Sequence, residues 1–413
     1  MKTKLKWHDL LPVVCFFAFF LALVAMEFLL PKQTQSSAEN RTLAVRPTLT
    51  QAASAASSAG QSSGFDARVK QISKLTQQFE KYVSDHVPGR EQLVRTFSAL
   101  ELAQGKKQVR LAYCLDGGWL FTKSTRLNAS KLEQLTAALQ ALQDETGLPM
   151  AYCVLPVKNA VVYDCDPLYF SDAIDAENRA ALLSALEGVE GLHVLDGVSA
   201  LRAKTFSERT ALFFKTDFHW NARGAYTTSR ELAQQLARQG LIQPSSIPGD
   251  GAFRWNDLTG RGYQGDLNKW YSNYFSVYET LELYAPADPS ALRYYEHLDS
   301  AEPTAREAIV ASGLDKELVD YNDVFTYNLG YFRVENPNAP EDKAVLILKD
   351  SYQNATLDYF TQIFREVNVV DPRNYQETEQ LTQLLSARSI DLVLFFYHQN
   401  NVSSELIGLL NTR

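Results

Sequence analysis

Two short segments hold the residue types that acyl chemistry needs. In Phe214-Lys-Thr-Asp-Phe-His-Trp-Asn221 a carboxylate and an imidazole stand two residues apart, at Asp217 and His219. Side chains at i and i+2 of an extended segment point the same way, so both can serve one place. A carboxylate bonded to one ring nitrogen fixes the tautomer and stabilises the imidazolium formed when the other nitrogen takes a proton. In Lys349-Asp-Ser-Tyr-Gln353, Ser351 follows the apolar run Ala344-Val-Leu-Ile-Leu348 and precedes a helix-forming stretch. A strand-to-helix junction presents a serine at the sheet's edge with unpaired backbone N–H groups nearby. Ser351 is therefore a candidate nucleophile, with the amides of Ser351 and Tyr352 as oxyanion donors. A serine hydroxyl is barely ionised at neutral pH, and an adjacent base must take its proton. Each segment alone has a plainer reading, with Asp217, Asp350 or Ser351 capping a helix and His219 packed in a core. Together they supply nucleophile, base and orienting acid.

Other residues compete for roles. His398, at the end of the run Ile390-Asp-Leu-Val-Leu-Phe-Phe-Tyr397, is a rival base, although no acid stands beside it in sequence. Arg373 can bind an anionic substrate or pair with a carboxylate. Tyr263, Trp270, Tyr271, Tyr274, Phe275, Tyr278 and Tyr284 crowd one stretch. Such rings suit the faces of sugars, yet they serve equally as a small core, and aromatics dominate cores. No CxxC or His-rich metal spacing and no phosphate-cradling glycine loop occurs, so neither a metal nor another cofactor is expected.

The elements that position these residues follow from hydrophobic periodicity. Helical spacing runs through residues 66–104 with a break at Val87-Pro-Gly89, and recurs at 132–142, 176–186, 221–239, 356–364 and 376–387. Strands are expected at 109–115, 119–121, 149–156, 191–196, 344–349, 366–370 and 390–397. Continuous apolar strands alternating with helices imply an α/β fold, a doubly wound parallel sheet covered on both faces. Chemistry gathers at the carboxyl ends of strands in such sheets. Residues 245–340 break the rhythm and form an expected insertion.

With 413 residues, 46% hydrophobic and 21% charged, most of the chain is ordinary globular protein. A net charge of -8 disfavours a protein built to grip nucleic acid. Four cysteines exclude a disulfide-built scaffold. Cys153 and Cys165 are a possible pair, but small buried hydrophobes are the plainer reading for the cysteines outside residues 10–30. The exception to globular composition is residues 10–30, twenty-one nearly unbroken apolar residues that would span about 31 Å as a helix. Lys2, Lys4 and Lys6 precede this run, which keeps a tail of residues 1–9 cytoplasmic and sends the rest outward. The run exceeds a signal-peptide core, so an uncleaved transmembrane helix is expected over a cleaved signal. Residues 31–65, rich in Ser, Ala, Gln and Thr, follow as a flexible linker, and residues 66–413 form the extracytoplasmic α/β domain.

Thr216-Asp-Phe-His-Trp-Asn221, with Gly224-Ala-Tyr226 beyond it, resembles the signature of the DHHW family and of SGNH-hydrolase-like polysaccharide O-acetyltransferases of the alginate O-acetylation type. Phe218 stands where that motif has its first His. Asp85-His-Val-Pro-Gly-Arg90, Asp116-Gly-Gly-Trp-Leu-Phe121, Pro156-Val-Lys158 and Tyr263-Gln-Gly-Asp-Leu267 match further pieces in the same order. The resemblance spans roughly residues 66–400. It implies an SGNH-hydrolase-like sheet carrying an insertion, in a membrane-anchored bacterial cell-envelope enzyme. That enzyme is an O-acetyltransferase or acetylesterase acting on a cell-surface polysaccharide, supplied by a membrane-bound O-acyltransferase. It implies Ser351 as nucleophile, His219 as base and Asp217 as orienting acid, with Gly265 near the oxyanion hole; Tyr352, Trp220 and Arg373 are further oxyanion or substrate-binding candidates by their positions beside these residues and at strand ends. The serine motif, K-D-S-Y, departs from the G-D-S or G-T-S of relatives. The alternative is a protein that keeps the fold without the chemistry, as a glycan-binding or assembly factor.

Overall fold

A computed structural model describes residues 7–29, 33–36, 41–47, 65–165, 173–258, 260–277, 279, 281–311, 316–375 and 381–412. Most of the expected linker, the first five residues of the expected helix 376–387, and Tyr278 lie outside them. The chain divides into two compact units: residues 1–106 with 269–274, and residues 107–268 with 275–413.

In the first unit, α1 (Trp7–Leu29), α2 (Phe65–His86) and α3 (Arg90–Ala103) are helical. Several side chains of α1 lie outside the described residues, and among the described residues no helix is long and apolar enough to cross a membrane. The break between α2 and α3 falls at Gly89, whose φ of 69° is left-handed and costs a glycine no Cβ clash. Arg95 Nη1 holds the carbonyls of Ser272 (2.9 Å) and Asn273 (2.8 Å). Both of those residues also adopt positive φ, so a guanidinium orders a turn that side chains disfavour.

The second unit opens with a hairpin of β1 (Ala112–Leu115) and β2 (Trp119–Thr122), paired antiparallel. α4 (Ala129–Thr146), capped by the Asn128 side chain on the Lys131 amide (3.0 Å), leads to β3 (Met150–Leu155). α5 (Ala173–Glu187), β4 (Leu192–Asp196) and α6 (Ala222–Arg238) follow. Next come β5 (Phe253–Asp257), β6 (Glu282–Pro286), β7 (Arg293–Tyr295) and β8 (Tyr331–Glu335). β9 (Glu341–Lys349), β10 (Phe364–Val370), α7 (Leu381–Ala387), β11 (Leu392–His398) and α8 (Ser404–Asn411) close the chain.

Seven of these strands form one sheet in the order β7-β8-β10-β9-β11-β3-β4. The five from β10 to β4 are parallel, and every residue of β3 is buried, as a strand covered on both faces requires. The sheet is mixed where a wholly parallel one was expected, because β7 and β8 join one edge antiparallel. Both come from residues 245–340, so the expected insertion extends the sheet as well as adding β5 and β6, an antiparallel ribbon of its own. Two local expectations also change. Residues 109–115 are split by Arg110, at φ 53°, into a tight hairpin in which Val109 pairs with Ala112. The expected helix 356–364 reduces to the turn Leu357–Phe360, because residue 364 already begins β10. Cys114 and Cys153 are buried free thiols.

Candidate active site

β9 and β11 end side by side, and the site forms beyond their carboxyl ends. A loop from Phe213 to Trp220 is pinched at its base by a bridge between those two residues and by the Asn221 amide on the Leu212 carbonyl (3.0 Å). Asn221 then caps α6 through the Gly224 amide (3.1 Å). Gly224 is obligatory there, since a Cβ would meet the Leu212 carbonyl oxygen at 2.2 Å.

Opposite charges clamp the loop's backbone. The buried Lys158 ammonium donates to the carbonyls of Phe214 (3.1 Å), Lys215 (3.0 Å) and Asp217. The Glu279 carboxylate accepts the amides of Lys215 (3.0 Å) and Thr216 (2.8 Å) and the Thr216 hydroxyl (2.8 Å). The Thr216 carbonyl in turn accepts the amides of Leu267 (3.1 Å) and Asn268 (3.2 Å). Gly265 lies against that same carbonyl, and a Cβ would come within 2.2 Å of its oxygen.

Within this frame His219 Nδ1 donates to Asp217 Oδ1 at 2.8 Å, and Nε2 faces Ser351 Oγ at 2.9 Å. With Nδ1 carrying the proton, Nε2 is the free acceptor for the serine proton. Asp217 is buried; Oδ1 also accepts the His219 amide (3.0 Å), while Oδ2 accepts the Asp266 amide (2.9 Å) and the Tyr263 hydroxyl (3.1 Å). Burial alone would raise the Asp217 pKa, but the His219 imidazole and the backbone amides of His219 and Asp266 hold the carboxyl below the usual carboxylate range. The Tyr321 ring stacks on the His219 ring with centroids 3.8 Å apart, and Phe218 tilts against it at 4.1 Å.

Ser351 is half-buried and opens the 3-10 turn Ser351–Ala355. Asp350 caps that turn: Oδ1 accepts the Tyr352 amide (3.0 Å), and Oδ2 accepts the His398 amide (3.0 Å) and the Asn401 side chain (3.0 Å). The Ser351 amide has no acceptor among the described residues, which leaves it available to an oxyanion. The expected second donor, the Tyr352 amide, is occupied by the cap. Tyr352 instead donates its hydroxyl to the Phe218 carbonyl (2.7 Å), joining the serine turn to the histidine loop. The Trp220 indole donates to the Tyr352 carbonyl (3.0 Å) from a buried position, so it supports the turn and does not face substrate.

The lysine of K-D-S-Y is also structural. Lys349 is buried and contacts Asp371 (3.2 Å), Asn354 Oδ1 (2.6 Å) and Asn328 Oδ1 (3.2 Å), tying the serine turn to the ends of two strands. Burial lowers its pKa to about 8 despite Asp371. Arg373 grips Asp371 through Nε (2.8 Å) and Nη2 (2.5 Å), so it serves this internal pair. His398 approaches Asp350 at 3.9 Å, its Nδ1 accepts the Asn400 amide (3.3 Å), and burial lowers its pKa. His219 is the histidine hydrogen-bonded to the serine hydroxyl.

Lys158, Glu279, Tyr263 and Tyr321 carry support that sequence reasoning did not assign. Lys158 and Tyr263 stood in the quoted motif pieces, whereas Glu279 and Tyr321 had no local signal. Asp217, His219 and Asp266 offer ligand atoms within 4.8 Å of one another. At ordinary metal–ligand lengths, two donors on a tetrahedral cation sit about 3.3 Å apart. The 2.8 Å between His219 Nδ1 and Asp217 Oδ1 suits a shared proton better.

A hydrogen-bonded serine, histidine and aspartate beyond the strand ends of a mixed α/β sheet describes a hydrolase-type site. Residues 116–295 match the model of the SGNH hydrolase-like domain of the acetyltransferase AlgX. PatB1 of Bacillus cereus, solved with a sulfonyl adduct, is similar in fold: 20% identity, TM-score 0.61, covering 73% of this chain and 99% of that one. A DHHW family protein from Eubacterium siraeum has 17% identity and a TM-score of 0.53, covering 73% of this chain and 94% of that one. No curated protein matches the sequence. The resemblance to the DHHW family and to SGNH-hydrolase-like acetyltransferases, drawn from the motifs, is shown by these matches.

Proposed function

We propose that this protein is a serine-dependent O-acyltransferase or esterase acting on acetyl groups of a cell-surface polysaccharide. The observation that carries the reading is the unbroken series from Ser351 Oγ through His219 to Asp217, at 2.9 and 2.8 Å. Ser351 Oγ attacks the acyl carbonyl as His219 Nε2 takes its proton. The Ser351 amide stabilises the oxyanion, and the leaving group departs with the proton from His219. An acyl-serine remains. A sugar hydroxyl or water, deprotonated by His219, then attacks it, giving an O-acyl sugar or free acid and restoring the serine. The resemblance to SGNH-like acetyltransferases supports acetyl as the acyl group and a saccharide as acceptor. It also supports a membrane-bound O-acyltransferase as the partner that delivers acetyl.

The apolar run within α1 and the lysines before it support a single-pass anchor with the larger unit outside the cytoplasm. A binding protein without chemistry is the less favoured reading, because a glycan platform has no need of an imidazole held between a buried carboxylate and an accessible serine. The test is turnover of 4-nitrophenyl acetate by the purified chain and mass detection of acetyl on Ser351. Ser351→Ala should abolish both. Turnover that persists undiminished in this variant ends the proposal.

A further inference from the structure

The insertion builds a cleft that the hydrolytic chemistry does not use. β5 and β6 form one wall, residues 306–311 and 324–326 a second, and residues 354–358 the floor, enclosing about 810 Å³. Ser351, His219 and Asp217 do not line it. Its floor nevertheless begins at Asn354, in the same 3-10 turn as Ser351, and three residues of such a turn rise only about 6 Å. The Tyr284 hydroxyl on the Ala355 carbonyl (2.7 Å) and the Thr326 hydroxyl on the Asn354 carbonyl (2.7 Å) fix the walls to this floor.

The lining names a ligand class. Arg254 and Arg306 are matched by Asp257, Glu307 and Asp358, so the cleft lacks the excess positive charge that a polyanion requires. Apolar and polar residues are mixed along it, among them the half-exposed Trp255, whose ring also packs on Arg223, Tyr226 and Tyr284. Rings with apolar faces and hydroxyl edges fit such a surface. One lining group also lacks a partner. Asp358 is 8% exposed; Oδ2 accepts from Arg306 (3.0 Å), while Oδ1 is buried without a hydrogen-bond partner. A buried carboxyl oxygen left unpaired is costly, and a ligand hydroxyl met by a small turn of the Asp358 side chain toward the cleft would relieve it. Burial raises the Asp358 pKa, as expected for a group short of partners.

We infer that this cleft is a second binding site, separate from the reacting centre, for an uncharged hydroxyl-rich saccharide segment that it holds beside the serine turn. The inference adds an acceptor subsite to the function proposed above, but saccharide binding there does not depend on the chemistry at Ser351. Calorimetric titration of the full chain with cellohexaose and chitohexaose tests it, alongside hydrolysis of 4-nitrophenyl acetate. At least one hexasaccharide should bind, equally well to wild type and to Ser351→Ala. Trp255→Ala and Asp358→Asn should each weaken binding about tenfold, the loss of one ring or one buried hydrogen bond. Both variants should keep wild-type ester hydrolysis. Binding of neither sugar overturns the inference, as does binding indifferent to both substitutions, or a parallel loss of ester hydrolysis. Failure of the serine chemistry would show separately, as ester turnover indifferent to Ser351→Ala.

Discussion

At the scale of single residues the site depends on Asp217. Its carboxylate holds the His219 tautomer through a 2.8 Å bond, so Asp217→Asn presents the wrong hydrogen-bonding group to Nδ1. Ester turnover should fall by about 10³–10⁴ in this variant, measured as kcat at saturating 4-nitrophenyl acetate, with the fold intact by circular dichroism. The same carboxyl has a folded pKa below its unfolded value near ~3.9. Its stabilising contribution is therefore fully present above that unfolded value and is lost as pH falls through the folded one. Asp217→Asn should flatten the acid limb of urea stability below about pH 4. Lys349 gives a dependence of the same sign in an alkaline window, because its pKa too is lowered on folding. It titrates near 8 when folded and near ~10.4 when unfolded, so the unfolded chain binds more protons between those values. Stability should rise with pH across that window relative to Lys349→Met, read from the difference in urea midpoints at pH 7 and pH 10. The sequence exposed the reacting residues because Asp217 and His219 share a motif and Ser351 sits at a strand end. It offered Asp350 as a helix cap, but which amide that cap takes depends on the tightness of one turn, so the loss of the Tyr352 amide as an oxyanion donor was not legible.

At the scale of elements, the histidine loop holds its shape through two buried charges that no periodicity reveals. Lys158 gathers three carbonyls and Glu279 two amides of residues 214–217, so removing either leaves polar backbone unpaired in the interior. Lys158→Met should cost about 3–5 kcal/mol of unfolding free energy, the range for stripping one partner from a buried charged network. The measurement is chemical denaturation, and less than about 1 kcal/mol would place loop rigidity elsewhere. Gly265→Ala probes the neighbouring approach, because the added methyl meets the Thr216 carbonyl at 2.2 Å. The Asp266 amide next to it binds Asp217, so the displaced backbone should reduce kcat while leaving the serine in place. The strands of the central sheet were legible for a physical reason: β3, β9 and β11 are buried on both faces and therefore read as continuous apolar runs. β7 escaped notice because it is an edge strand of three residues, and β8 because the buried Arg333, bonded to Glu335 (3.2 Å) and the Ser300 carbonyl (3.1 Å), interrupts the apolar pattern of Tyr331-Phe-Arg-Val-Glu335. Nothing in their local composition distinguishes them from loop.

At the scale of the whole molecule, Ser351, His219 and Asp217 lie in the unit made of residues 107–268 and 275–413, while the apolar N-terminal run belongs to the other. If the proposed anchor holds, this twenty-one-residue apolar stretch would insert in a bilayer, each buried side chain gaining transfer free energy and a helix satisfying every backbone group internally. In that proposal the lysines on its N-terminal side would set its direction, through the bias of positive charge toward the cytoplasm. The full chain should therefore remain in the membrane pellet after alkaline carbonate extraction, which strips proteins held by charge alone. Protease added to intact spheroplasts should digest residues beyond 65 while a short N-terminal fragment survives. Replacing Leu21 with Arg places a charge near the middle of the run at a cost of about 2.5–3.5 kcal/mol on insertion scales, and should shift part of the chain to the soluble fraction. Ester hydrolysis by that released fraction should match the membrane-bound enzyme, because none of the atoms reacting at Ser351 comes from the apolar run. Complete release of the unaltered chain by carbonate, or protection of its larger part from external protease, would remove the anchor and with it the outward placement of the site.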